Sequence, residues 1–169
     1  MVSTAGIADD IARLLERELE GFVREIELFA NDEDIWRTLP GVTNSVGNLA
    51  THVAGGLQHF VGEILGRTGY KRDRDLEFTR RNGSRADVIV ELDRARAVVR
   101  DIVPPLSDDV LSAPLPGPFP GPTVCARSFL VHLCTHAAMH LGQAGYLRRA
   151  LTGDPTSTQP VSIAPLERR

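Results

Sequence analysis

Apolar residues in this 169-residue chain recur at intervals of three and four in four long segments. Nowhere do they alternate with polar residues over the length of a strand. Three-and-four spacing gathers apolar side chains on one stripe of an α-helix, so the chain has stripes to bury against one another and no half-buried sheet. The first segment runs from about Ser3 to Ala30, with Ile7, Ile11, Leu14, Leu15, Phe22, Ile26 and Phe29 on its stripe. A connector with the only tryptophan, Trp36, leads to a cap at Asn44 or Ser45 and a second helix to about Gly66. A polar, arginine-rich stretch from Arg67 to Gly83 precedes a third helix, capped by Ser84 and reaching about Val103. Seven prolines then fall between Pro104 and Pro122, which exclude a helix there and predict an extended crossover. Thr123 is the expected cap of a fourth helix that reaches about Leu151 and stops at Thr152-Gly153. These elements predict an all-α four-helix bundle over residues 1–153. Residues 154–169 are expected to be a tail, poorly ordered or docked as a loose strand.

Bulk properties exclude several functions. A net charge of −3 lacks the basic excess that phosphate binding needs, so nucleic acid is not an expected partner. No apolar run is long enough to span a bilayer, and the first residues lack the basic and apolar parts of a signal peptide. Cys125 and Cys134 fall on one predicted helix, roughly 13 Å apart along its axis and about 180° around it, too far to pair. Free thiols suit a reducing compartment, and a cytoplasmic location is expected.

Chemistry concentrates in His132-Leu-Cys-Thr-His136-Ala-Ala-Met-His140-Leu-Gly-Gln143, which holds three of the five histidines. Taking Phe129 as the zero of angle, His136 falls at about −20° and His140 at about +20°, on the centre line of the core-facing stripe. His132 lies on its flank, at about −60°. A single core histidine ordinarily packs and makes one or two hydrogen bonds. Two adjacent imidazoles at core-centre positions leave polar edges that cost about 1–3 kcal/mol each if unpaired, and a shared metal ion answers both. His52, on the second helix, is placed to supply a third donor if helix packing brings it to the same level. His59, about 10 Å further along that helix, reads as a packing residue or as a support behind a metal ligand. Three neutral donors leave coordination positions open, as catalytic metal sites do.

Asn44-Ser-Val-Gly-Asn-Leu-Ala-Thr-His52 and His136-Ala-Ala-Met-His140-Leu-Gly-Gln143 resemble two blocks of the DinB-like (YfiT-like) superfamily, and Arg72-Asp-Arg-Asp-Leu-Glu77-Phe78 is similar to a segment of one branch. The resemblance implies an up-up-down-down bundle with the proline-rich crossover before the last helix, often a homodimer. It also implies a divalent metal held by His52, His136 and His140. Relatives include thiol-dependent transferases and isomerases, and many others are labelled metal-dependent hydrolases. The expected function is therefore metal-dependent thiol transfer or hydrolysis on a small molecule, with zinc or nickel as the metal and a low-molecular-weight thiol as a candidate cosubstrate. The alternative is a non-catalytic metal- or ligand-binding protein of the same fold. Gln143 is the candidate for orienting a ligand, and Glu63 and Glu77 are candidates for supporting a histidine or accepting a proton. Ala137, Ala138 and Met139 replace more polar residues of some relatives and leave no obvious acidic base beside the metal. Leu19, Val23 and Leu28, apolar but off the first helix's main stripe, are the expected dimer surface.

Overall fold

The computed structural model describes residues 6–117 and 123–167 and is all-helical among them. The N-terminus before Gly6, and Pro118, Pro120 and Pro122 of the crossover, lie outside the described residues. Helix α1 is Ile7–Glu27, and Gly6 N–H donates to Asp9 Oδ2 at 3.1 Å to close its first turn. Helix α2 is Val46–Leu57 and continues without a break into a π-helical stretch, Gln58–Leu65. Helix α3 is Arg74–Thr79, α4 is Arg85–Ile102, α5 is Asp108–Ser112 and α6 is Ala126–Thr152. α1 packs against α4 and α6, and α2 packs against the same two. One continuous core lies between them, with Leu15, Phe22 and Ile26 of α1 meeting Leu92 and Val99 of α4 and Leu130 and Leu141 of α6.

Capping residues set the starts of α2 and α4 where the sequence predicts them. Ser45 Oγ accepts from Asn48 N at 3.1 Å while Asn48 Oδ1 accepts from Ser45 N at 3.1 Å, a reciprocal cap that begins α2. Ser84 and Asp87 make the same box at α4. Gly153, at φ 72°, terminates α6 in the left-handed conformation.

Four expectations need correction. Thr123 does not cap α6: Cys125 holds the cap position, outside the helix, with no side-chain cap bond. The backbone supplies the substitute, because Ala126 N–H donates to Ala113 O at 2.9 Å and Leu115 N–H to Val124 O at 2.9 Å. The crossover is not wholly extended either, since the eight proline-free residues between Pro105 and Pro114 are enough for α5, which Ser107 caps. The arginine-rich stretch forms α3, capped by Asp73 Oδ1 accepting from Leu76 N at 2.9 Å. Finally, Leu19 is fully buried and Val23 packs partly on the core, so Leu19 is not part of an exposed surface on α1, while Val23 and Leu28 are half-buried. The exposed large apolar side chains of the longest helix are Val131, Met139 and Tyr146, on α6.

The tail returns along α1 as irregular chain ending in a 3-10 turn, Ala164–Leu166. Arg148, with no exposed surface, holds it: its Nε donates to Glu25 Oε2 at 2.5 Å and its other nitrogens to the carbonyls of Asp154 and Thr156. No helix among the described residues is long and apolar enough to cross a membrane.

Candidate metal centre

The two blocks of sequence meet where α2 faces α6. His136 and His140 lie one turn apart on α6, with ring centroids 4.4 Å apart and planes at 89°. α2 brings His52 to both, at centroid distances of 5.1 Å and 5.3 Å. The Nε2 of His136 lies 3.3 Å from that of His52 and 3.1 Å from that of His140. One donor atom from each of the three rings falls within a 4.8 Å cluster.

The outer nitrogens decide what the inner ones present. His52 Nδ1 faces Glu77 Oε2 at 2.9 Å, and His140 Nδ1 faces Gln143 Oε1 at 2.7 Å. A carboxylate and an amide oxygen accept hydrogen bonds, so each Nδ1 carries the proton and each Nε2 turns a lone pair to the centre. Burial pushes the His136 imidazole down to about 4, and the neighbouring histidines and Arg72 push the same way. Burial also lowers His140, against its hydrogen bond to Gln143 and aided by His52. Lone pairs facing one another at 3.1–3.3 Å repel unless a cation or proton lies between them. Imidazole nitrogens sharing one zinc-sized ion at about 2.0–2.1 Å stand roughly 2.8–3.4 Å apart, so the three residues could hold a divalent ion. Imidazole donors suit several first-row metals alike.

Around the histidines stands a frame with identifiable causes. Arg72 grips Glu77 with both ends of its guanidinium, Nε to Oε1 at 2.7 Å and Nη2 to Oε2 at 2.8 Å. Burial alone would raise the Glu77 carboxyl, but the hydrogen bonds from His52 and Arg72 outweigh it and hold the group below the usual carboxylate range. The Asn44–His52 block builds this frame. Asn48 Nδ2 donates to the carbonyls of Glu77 and Arg80, at 2.8 and 2.9 Å, and so pins α3 to the start of α2. A Cβ on Gly47 would come within 2.7 Å of the Trp36 ring. A Cβ on Gly55 would come within 2.3 Å of Glu77 Oε1, so only glycine lets that carboxylate reach His52.

The other named residues fall elsewhere. Glu63 is not brought to the histidines: its Oε2 accepts from Gly69 N at 2.6 Å. Eleven residues separate Glu63 from His52 along one continuous helix, roughly 12–16 Å of rise, so Glu63 lies at another level of the bundle whichever face it takes. His132 is exposed on α6, its ring 6.0 Å from that of His136, and His59 packs on Phe60 at 4.9 Å. Arg72, five residues before Glu77 and inside the segment that carries the resemblance, is a site residue that neither periodicity nor histidine spacing marks.

Two clefts border the site. One of about 290 Å³ is lined by His52 and His136 together with Phe60, Phe129, Arg72 and Arg74. A larger one of about 520 Å³ is lined by Gln143, Leu49, Val42 and Tyr146, and none of the three histidines lines it.

Comparison with known proteins agrees with this architecture. The crystal structure of a conserved protein from Enterococcus faecalis is similar at a TM-score of 0.67 and 20% identity, over 91% of this chain and 99% of that one, which is a likeness of fold. None of the curated proteins matches the sequence. The family model of the DinB superfamily matches residues 13–144, and the chain belongs to that superfamily.

Proposed function

We propose that this chain binds a divalent first-row metal, zinc or nickel, through His52, His136 and His140, and uses it to transfer a low-molecular-weight thiol onto a small molecule. One observation carries the reading: three Nε2 atoms converge, and two of them are aimed by hydrogen bonds behind them. A bound ion would lower the pKa of a water or thiol at its open positions. The chain's own residues position. Arg72 and Glu77 fix the tautomer and direction of His52, and Gln143 does the same for His140, as outer partners of metal-bound histidines do. Transfer is favoured over hydrolysis by the placement of the carboxylates. Glu77 is engaged by two partners and Glu63 by Gly69 N, which leaves neither poised to take a proton from water. A thiol cosubstrate brings its own nucleophile.

Other expectations stand as proposals beside this one: an up-up-down-down order of α1, α2, α4 and α6, supported by the way α1 and α2 each pack against α4 and α6, a cytoplasmic location, and a homodimer.

Calorimetric titration of chelator-treated protein with zinc and nickel tests the site. One tight site per chain is expected, with His136→Ala weakening it at least about 100-fold and His132→Ala changing it by no more than about threefold. Equal damage from both substitutions would remove the ligand assignment. Tight metal binding with no turnover of chloro-arenes or epoxides by any common thiol would return the chain to a non-catalytic binding role.

A further inference from the structure

The 290 Å³ cleft beside the histidines has a lining of one kind of charge. Arg72 and Arg74 line it, and no carboxylate does. Beside these and the histidines His52, His132 and His136, the wall is apolar. Phe60 and Phe129 meet edge to face at 4.8 Å and 66°, and Val53, Leu57 and Leu133 complete the surface. The two guanidinium groups differ in what answers them. Arg72 is neutralised by its two bonds to Glu77. Arg74 makes no ion pair with any carboxylate among the described residues. Its guanidinium lies over the Phe78 ring at 5.1 Å, and that ring sits against His52 at 4.6 Å, tilted by 41°. Arg74 is solvent-exposed, and a guanidinium beside an aromatic ring with no carboxylate partner keeps N–H donors available, the fork that takes a carboxylate in two parallel hydrogen bonds.

We propose that this cleft is the subsite for a small carboxylic acid with an apolar body about the size of one aromatic ring, and that Arg74 selects its charge. The inference rests on the metal-centre reading for its functional meaning and names the substrate class of that site. An apolar wall, a single unanswered guanidinium and a volume at the low end of the roughly 300–1,000 Å³ usual for small-molecule sites suit a compact amphipathic acid. Because His52 and His136 line the same cleft, an acid held by Arg74 lies with its body against the histidines.

The test uses the full chain after chelator treatment, so that a carboxylate cannot gain affinity by coordinating a metal. Titration calorimetry is run with 3-phenylpropionate and with 3-phenylpropanamide, which has the same shape without the charge. The acid is expected to bind about tenfold more tightly than the amide, and the preference to shrink as salt rises. Arg74→Gln should bring the acid to within about threefold of the amide and leave the amide unchanged, and Arg74→Lys should restore part of the difference. Circular dichroism checks that both variants fold. Equal binding of acid and amide, an unchanged preference in Arg74→Gln, or no detectable acid binding at millimolar concentration would each overturn the subsite. Zinc titration of Arg74→Gln separates this failure from that of the metal reading. That variant should bind zinc as the unaltered chain does, whereas loss of the metal reading shows as no His136-dependent zinc site with the acid preference intact.

Discussion

At the scale of single residues, the support behind His52 is built by exclusion as much as by bonding. Glu77 reaches the imidazole because Gly55 has no side chain, and it stays there because Arg72 holds both its oxygens. Gly55→Ala therefore sets two effects against each other. Alanine favours an α-helix over glycine by about 1 kcal/mol, while the new methyl displaces the carboxylate. Displacing it also strands Arg72, so the expected outcome is a melting temperature at or below that of the unaltered chain, with zinc affinity about tenfold weaker, the size of loss seen when an outer partner of a metal histidine is removed. Calorimetry and a thermal melt on one preparation check both signs, and an unchanged affinity would show that Glu77 does not act through His52. The pH dependence of the metal-free chain follows from His136. Its imidazole is pushed down to about 4 in the folded chain, against an ordinary value of about 6.5 when unfolded. Between these values the unfolded chain binds a proton that the folded one refuses. His136 therefore costs no stability above about pH 6.5 and lowers it progressively as the pH falls towards 4. Glu77, held below the usual carboxylate range, adds to the loss at the acid end. Urea midpoints at pH 7, 5.5 and 4.5 should fall in that order, and His136→Gln should flatten the decline.

At the scale of elements, the molecule ties its longest helix to its first by a buried charge. Arg148 of α6 and Glu25 of α1 are both excluded from solvent, and the same guanidinium holds the returning tail through the Asp154 and Thr156 carbonyls. A buried pair adds little net stability over well-packed apolar residues, but removing one partner strands the other charge. Arg148→Ala is expected to cost about 3–5 kcal/mol in denaturant unfolding, because Glu25 is left buried without its partner. Arg148→Met combined with Glu25→Leu should recover most of that. If the single and double variants are equally unstable, packing rather than charge governs the contact.

At the scale of the whole molecule, the exposed surface of α6 carries Val131, Met139 and Tyr146, with no acidic residue anywhere along the helix. The proposed homodimer, if it forms, has this face available in place of Leu19, which the core uses. Light scattering at micromolar concentration should give the mass of two chains, and Met139→Glu together with Tyr146→Glu should reduce it to one. A single-chain mass at every concentration of the unaltered protein would remove the dimer.

Much of this was legible in the sequence because it is local. Apolar periodicity marked the four long helices, Ser45, Ser84 and Gly153 marked their ends, and a four-residue interval put His136 and His140 on one face. Those features depend on bonds and angles within a few residues of one another. What the tertiary structure decided depends on atoms far apart in the chain. The backbone bridge across the crossover, and no side chain, starts α6. Glu63 turned to the backbone N–H of Gly69 in the loop beyond its helix, a partner that helix periodicity does not show. Glu77 came to His52 through a 25-residue separation, on a short helix whose composition reads as a charged loop, because Asn48 anchors that helix and Gly55 leaves it room. Periodicity could place Leu19 off the stripe of one helix but could not show that α4 and α6 wrap α1 widely enough to bury it, since burial is set by the neighbours a helix acquires and not by its own sequence.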